Sequence, residues 1–318
     1  MKNQRGIALL VVMMFLVLMA ATAVSVNHSW YTMFTRTKVQ MSRIQAKWQL
    51  LGAETYAIKL LEDSLKNETR VSPVQKWAQP DLSFATEDSQ IKIHFYDAQS
   101  CFNINTLKNN QSLAESKGED TQPENKEKTV TPQNIHWEVF NALLVNLDFD
   151  AEHIKRLNES IKTRLSQEMT EFSDISELRP LPGMNRERYM RLLPFLCVLP
   201  DRKSTININS LGVKQEVLLR ALFLNKPSVG AVRRLLDSRA KEGWESIHDP
   251  ELVKNLTMLN LELPPQSEQL ISTTSHFFKG NMSTMSEQGY YTLQGLFSYK
   301  EKTIHLLHHY INSGGGER

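Results

Sequence analysis

The sequence predicts an α+β fold: a long N-terminal helix packed on an antiparallel sheet, with an all-helical domain inserted between the strands of that sheet. Three observations predict it. A helical pattern runs almost unbroken from residue 7 to about residue 65, helical texture fills the middle of the chain, and strand-like alternation stands on both sides of that middle.

The long helix comes first. Lys2 and Arg5 charge a short leader that ends at Gly6, and Ile7–Val26 succeeds it with no charged residue and only Thr22 and Ser25 as polar interruptions. About 20 apolar residues at 1.5 Å each span roughly the 30 Å core of a bilayer. Ile7, Leu10, Val11, Phe15 and Leu18 are the candidate residues for contact with lipid and with neighbouring helices.

Three fates fit such a run. A secretory signal peptide uses Ala21-Thr22-Ala23 as a small-residue cleavage site. An uncleaved anchor holds Lys2 and Arg5 in the cytoplasm. A type IV prepilin-like leader is cut between Gly6 and Ile7, ahead of the apolar run, so the helix stays on the mature chain. The residues after Val26 favour the third fate. The helical pattern continues through Trp30, Met33, Phe34, Ile44, Trp48, Leu51, Tyr56, Leu61 and Leu65, and Gly52 is the only glycine or proline between Val26 and Pro73.

Beyond it, Val71–Ala85 reads as a loop with Pro73 and Pro80, and Gln90–Asp97 alternates as a strand with Ile91, Ile93 and Phe95 on one face. Cys101–Leu107 reads as a turn in which the asparagines cap and Phe102, Ile104 and Leu107 face inward. Residues 108–133 are polar and read as a flexible loop. Helical segments are expected at Trp137–Leu147, Ala151–Leu165, Ile175–Leu178, Arg186–Phe195, Val213–Leu224 and Val229–Lys241, with Ser173 or Asp174 and Ser228 as caps. Strand texture returns at Ile271–Met282, Tyr290–Tyr299 and Thr303–Tyr310, with Lys300-Glu301-Lys302 as a hairpin turn.

These segments give a domain plan with a leader at 1–6, a transmembrane part of the helix at 7–26, and the rest of the helix with the first strand at 27–107. The loop at 108–133, the inserted helical domain at 134–265, the closing strands at 266–312 and a tail at 313–318 complete it.

Charge is nearly balanced, 37 basic against 35 acidic residues, which gives no broad signal for nucleic acid. The two cysteines, Cys101 and Cys197, can form one disulfide outside the cytoplasm, closing a loop of nearly 100 residues; two buried thiols are the alternative. His305 and His309 are expected on one face of a strand and His308 on the other, with no acidic partner for a metal. No Ser-His-Asp order, phosphate loop or spaced cysteine set is present, and no enzyme is expected.

Leu181-Pro182-Gly183-Met184 resembles the hairpin of helix-hairpin-helix modules, and Asn207-Ile208-Asn209-Ser210 with its adjoining helices resembles the module of ComEA-type DNA receptors. Asn185 stands where a second hairpin glycine belongs, and Glu177 and Glu187 interleave with Arg186, Arg188 and Arg191. The insert is therefore read as a helix-hairpin-helix or SAM-like protein platform. A membrane-anchored DNA receptor for uptake is the alternative function.

Taken together, the chain resembles the K-type minor pseudopilins of type II secretion systems. The resemblance rests on Arg5–Val12 at the processing site, Phe102-Asn103-Ile104-Asn105 after the first strand, and Glu177–Met184, Leu192–Pro200 and Ile206–Asn209 in the insert. It also rests on Val11, the fifth residue after the cut, where most pilins carry Glu and the K type does not. The resemblance implies cleavage by prepilin peptidase at Gly6–Ile7, methylation of the new terminus, and a single-pass position in the Gram-negative inner membrane with the bulk of the chain in the periplasm. It further implies a tip complex with the I- and J-type minor pseudopilins, engagement with the inner-membrane secretion platform, no nucleic-acid partner, and calcium as a cofactor with ligands the sequence does not assign.

Overall fold

The computed structural model describes residues 4–79, 82–85, 90–110, 135–166, 171–286 and 289–313. Helix α1 (Gln4–Leu65) is 62 residues long, about 93 Å at the α-helical rise. Its apolar N-terminal part is uncovered among the described residues: Ile7, Leu10, Phe15 and Leu18 are all more than half exposed. Its C-terminal half lies on a sheet. The buried stripe is Ala46, Leu50, Ala53, Ala57, Leu61 and Leu65, spaced three and four apart as one helical face requires. Three alanines in that stripe let the helix axis approach the sheet closely. Of the large residues that suggested an amphipathic face, Leu61 and Leu65 belong to this stripe, whereas Trp30, Phe34, Trp48 and Tyr56 lie outside it and are all more than half exposed.

The sheet has five antiparallel strands: β1 (Leu82–Ala85) and β2 (Gln90–Asp97), then β7 (Phe277–Ser286), β8 (Gly289–Lys300) and β9 (Thr303–Ser313), in spatial order β1-β2-β7-β8-β9. Ile91, Ile93 and Phe95 do share the helix-facing side, where Phe278, Met282, Leu293 and Phe297 join them. Gly280 pairs with Gly295 across β7 and β8. A Cβ at Gly280 would stand 2.7 Å from the Phe297 ring, so glycine there makes room for the core aromatic. Residues 82–85 form an edge strand where a loop was expected, because pairing of Leu82 with Ile93 and Ser83 with Lys92 recruits them. The β8–β9 turn at Glu301-Lys302 has φ of 54° and 62°, the geometry of a type I′ hairpin turn.

Everything between β2 and β7 is an insert, leaving and rejoining the sheet on adjacent strands. It contains two units. The first runs from β3 (Phe102–Asn103) through α2 (Ile135–Asn146), α3 (Ala151–Ser166) and α4 (Arg186–Leu192) to β4 (Leu196–Cys197). The second runs from β5 (Ile206–Asn207) through α5 (Glu216–Leu222), α6 (Val229–Asp237) and α7 (Pro250–Met258) to β6 (Ile271–Ser272). Each unit is closed by a two-residue parallel ladder, β3 with β4 and β5 with β6.

Local signals place the helices. Asp174 caps the turn Ile175–Leu178 in a capping box with Glu177, and Asn185, Ser228 and Asp249 cap α4, α6 and α7. Helix α7, absent from the helical segments expected within the insert, begins at Asp249-Pro250, a cap with proline in the first turn.

Two boundaries move. Phe102, Ile104 and Leu107, assigned to the sheet domain, and Leu270 and Ile271, assigned to the closing strands, all pack in the core of the helical insert. Of the polar loop at 108–133, only residues 108–110 are described, as the end of the turn Ile104–Asn110; of the tail, only Ser313 is, as the end of β9.

Candidate functional site: the anchor, the helix face and the polar junction

No single pocket gathers the residues marked in the sequence. They fall into three regions along the long axis. At the N-terminus, Gly6 and Ile7 lie in the first turns of α1, and Ile7, Leu10, Val11, Phe15 and Leu18 project outward from it. This stretch is long and apolar enough to cross a membrane, and none of it is buried among the described residues.

The second region is the exposed face of α1 above that stretch. Trp30 stacks on Phe34 with ring centroids 5.7 Å apart, and Met33, Met41, Ile44 and Trp48 are more than half exposed. Helical faces with this much uncovered apolar area mark contact with other protein or lipid. Further up the helix, Glu54 Oε2 meets His309 Nδ1 at 2.5 Å and ties β9 to α1. This corrects the histidine reading. A bulge between Leu296 and Phe297 pairs Leu296 with His308 but Phe297 with Leu306. The extra residue reverses the alternation, so His309 faces α1 while His305 and His308 face away.

The third region joins the insert to the sheet and to the end of α1. Asp97, the last residue of β2, is buried. Its carboxylate accepts from Asn207 Nδ2 at 2.7 Å, Ser275 Oγ at 2.6 Å, the backbone N–H of Gln99 at 2.8 Å, and Ser210 Oγ. Burial pushes the carboxyl above the usual carboxylate range, and the hydrogen bonds from Ser210, Ser275, Gln99 and Asn207 pull it back. Gln99 extends the joint, donating to Thr205 O at 2.7 Å and accepting from the backbone N–H groups of His276 and Phe277. At the top of α1, Val71 N–H donates to Thr273 O at 2.8 Å, Asn207 Nδ2 donates to Val71 O at 3.0 Å, and Arg70 reaches Gly243 O at 3.3 Å. Cys101 and Cys197 form a disulfide with Cα atoms 5.8 Å apart. It closes the neck of the first unit against Ala98, Leu199, Phe277 and Leu296.

The junction exposes a repeat that the order of motifs alone does not announce. Phe102-Asn103-Ile104-Asn105-Thr106-Leu107 and Ile206-Asn207-Ile208-Asn209-Ser210-Leu211 open the two units. In each, the first Asn accepts the backbone N–H of the second: Asn105 N to Asn103 Oδ1 at 3.2 Å, and Asn209 N to Asn207 Oδ1 at 3.0 Å. The second Asn then holds the N–H and C=O of one distant aromatic residue, Phe172 for Asn105 and Trp244 for Asn209. Gly243, with φ of +82°, passes directly over Asn209, and a Cβ there would lie 2.6 Å from its Cγ. Each asparagine pair is visible as a motif; the likeness of one pair to the other is the signal that they open two units of one design.

The chemistry on offer is mechanical. Among the described residues no group of three or more His, Cys, Asp or Glu side chains is placed to hold a metal ion. Two arginines of the Pro-Gly hairpin region are balanced by acids: Arg191 binds Glu187 at 2.5 Å and Arg188 approaches Asp150 at 3.8 Å, while Arg186 is exposed.

Comparison with known proteins assigns this architecture. Profiles described as type II secretion system, protein K, match residues 100–201 and 206–272, which are the two units of the insert. The chain is 32% identical over 302 residues to type II secretion system protein K of Klebsiella pneumoniae, covering 86% of this chain and 88% of that one. The chain belongs to the type II secretion system protein K family. The protein K of Pectobacterium carotovorum subsp. carotovorum is 29% identical over 300 residues, with 87% of each chain covered. A solved chain from the GspK-GspI-GspJ complex of enterotoxigenic Escherichia coli superposes with a TM-score of 0.67 at 26% identity, covering 88% of this chain and all of that one. The family is a structural component of secretion machinery, a minor pseudopilin, and not a known enzyme family. Its membership implies a place in the cell envelope, and the apolar N-terminal helix is compatible with a single-pass anchor.

Proposed function

We propose that this chain is the subunit at the tip of the type II secretion pseudopilus, where it initiates assembly and helps export folded proteins across the outer membrane. In this reading prepilin peptidase cuts between Gly6 and Ile7, the new terminus is methylated, and Ile7–Val26 remains in the inner membrane with the bulk of the chain in the periplasm. The uncovered face of α1, with Trp30, Phe34 and Trp48, packs against the helices of I- and J-type partners before the inner-membrane platform extrudes the complex. The likeness to a chain solved with GspI and GspJ supports that choice of partners.

One observation carries the tip position. The insert is fastened to the end of α1 farthest from the apolar segment, through Val71, Arg70 and the Asp97 joint. A second subunit stacked above meets the two helical units of the insert where it needs an open helix end. Calcium, which the family resemblance allows, finds no cluster of three candidate ligands among the described residues, and the proposed role does not use it.

The test is pseudopilus formation in cells that overproduce the major subunit, with and without this chain. Fewer filaments of unchanged length in its absence is the expected result. Unchanged filament number sinks the initiating role. Mass spectrometry of the mature N-terminus adds the processing test: a start at Ile7 that depends on prepilin peptidase is expected, and a start at Val24 removes the pilin-like reading.

A further inference from the structure

Trp30, Phe34, Thr37, Met41, Ile44 and Trp48 follow one another along α1 at spacings of 4, 3, 4, 3 and 4 residues. That is the a/d repeat of a coiled coil, with Phe34, Met41 and Trp48 at a and Trp30, Thr37 and Ile44 at d. A strict 3.5-residue repeat drifts slowly around a helix of 3.6 residues per turn. It therefore suits a left-handed supercoil with a second helix crossing at about 20°. All six residues are exposed. The Thr37 hydroxyl donates to Met33 O at 2.9 Å, so a partner can cover it without orphaning a donor. The next d position is Leu51, partly buried against the core between α1 and the sheet. The stripe thus ends where the chain's own domain begins.

Height along the helix decides against lipid as the cover. With residues 7–26 in the bilayer, Trp30 stands about 6 Å beyond them, at headgroup depth, where belt aromatics sit. Met41 and Trp48 stand about 22 and 33 Å beyond, whereas a headgroup layer is only about 5–7 Å thick. Charge then narrows the choice of protein. From Val26 to Ala53 the helix carries Arg36, Lys38, Arg43 and Lys47 and no Asp or Glu, and the first acid, Glu54, is taken by His309. Lys38 and Lys47 occupy e and g, the positions that pair across a coiled coil. Arg36 and Arg43 occupy c, away from the seam, and Arg43 donates to Ser313 Oγ at 2.8 Å. A second copy of this chain, parallel and in register, would set Met33 against Lys38 and Gly52 against Lys47, so it supplies neither lysine with an acid.

We propose that residues 30–48 of α1 are a coiled-coil seam for one parallel helix of a different chain, apolar at its own a and d positions and acidic at the positions flanking them. Lys38 meets a g acid of that helix and Lys47 an e acid. Assigning the helix to an I- or J-type subunit rests on the function proposed above; the repeat and the charge do not.

The test places the photo-crosslinking residue p-benzoylphenylalanine at single positions from 36 to 48 of the full chain, in cells that make the whole secretion system, and identifies the adducts by mass spectrometry. Adducts with another pilin-like chain are expected to peak at 37, 41, 44 and 48 and to drop about fivefold at 36, 39 and 43. Lys38→Glu with Lys47→Glu should lower the adducts at 41 and 44 roughly tenfold with the amount of the chain unchanged, whereas Arg36→Glu should leave them within about twofold. Adducts strongest at 36, 39 and 43, or equal at every position, overturn the seam even where the partner is of the I or J type. Adducts chiefly with lipid or with a second copy of this chain overturn the assigned partner, as does an equal loss in R36E. The expected pattern on a different pilin-like chain keeps the seam and removes only the I- or J-type assignment, so the two readings fail separately.

Discussion

Asp97 stands where three stretches of chain meet: the end of β2, the start of the second unit at Asn207, and the return at Ser275. Replacing it with alanine takes the acceptor from the hydroxyls of Ser210 and Ser275 and from one N–H of the Asn207 amide, whose other N–H keeps Val71 O, and orphaned donors cost more than the bond they lose. Asp97→Ala is therefore expected to destabilise the folded part beyond the apolar segment by roughly 3 kcal/mol in urea unfolding. A loss below about 0.5 kcal/mol would show that water replaces the carboxylate there. His136 gives a second prediction at this scale. Burial drives its pKa down to about 4, so the folded state favours the neutral ring. The unfolded chain takes up a proton near pH 6.5 and the folded chain does not, so stability present above that pH is lost as pH falls from 6.5 towards 4, by up to about 3 kcal/mol. His136→Leu should flatten that part of the stability profile, and an unchanged slope refutes the assignment. Neither residue was legible as important. An aspartate at a strand end and a single histidine between Ile135 and Trp137 look ordinary until the fold buries them.

At the scale of elements, the periodicities were readable and the partners were not. Alternation marked Ile91, Ile93 and Phe95 correctly because β2 is covered on one face by α1. The same logic failed on β9, where a bulge that no residue type announces turned His309 towards Glu54. In α1, bulky apolar residues drew the eye, yet the packed face is the one with alanines at 46, 53 and 57. A helix can lie close to a sheet only where its side chains are short. Ala53→Leu should therefore force the helix off the sheet and cost about 1–3 kcal/mol, whereas Trp48→Ala should leave stability within about 0.5 kcal/mol. Thermal unfolding of the two variants checks both; equal effects would mean that the buried stripe is misassigned. The disulfide acts on the same scale. It bridges a sequence separation of 96 residues, and in the chain-entropy account its removal by Cys101→Ser and Cys197→Ser costs about 4–5 kcal/mol. The double variant should melt well below the parent and match the parent under reduction; a variant as stable as the oxidised parent would place the rigidity of the first unit wholly in its apolar core.

The whole molecule sets a limit that no element sets alone. One end is a bare helix able to pack sideways with similar helices, and the far end is closed by the insert. In the proposed role such a body begins a helical stack and does not sit within one, because lateral contacts are open while the upper contact is filled. Copy number then becomes the discriminating quantity. Quantitative mass spectrometry of sheared pseudopili should find the ratio of this chain to the major subunit falling in inverse proportion to filament length, as one copy per filament demands. Val11→Glu sharpens the argument. If the missing carboxylate were what keeps the chain out of the filament shaft, restoring it would raise the copy number. A carboxylate within the apolar segment costs about 2.5–3.5 kcal/mol near a helix centre and less near its end, and it gains nothing without a neighbouring amine. The copy number of the V11E protein is accordingly expected to stay at one, with assembly unchanged or weakened. A rise in copies with length in that variant would transfer the proposed exclusion from the insert to Val11, and with it the reason offered for an end position.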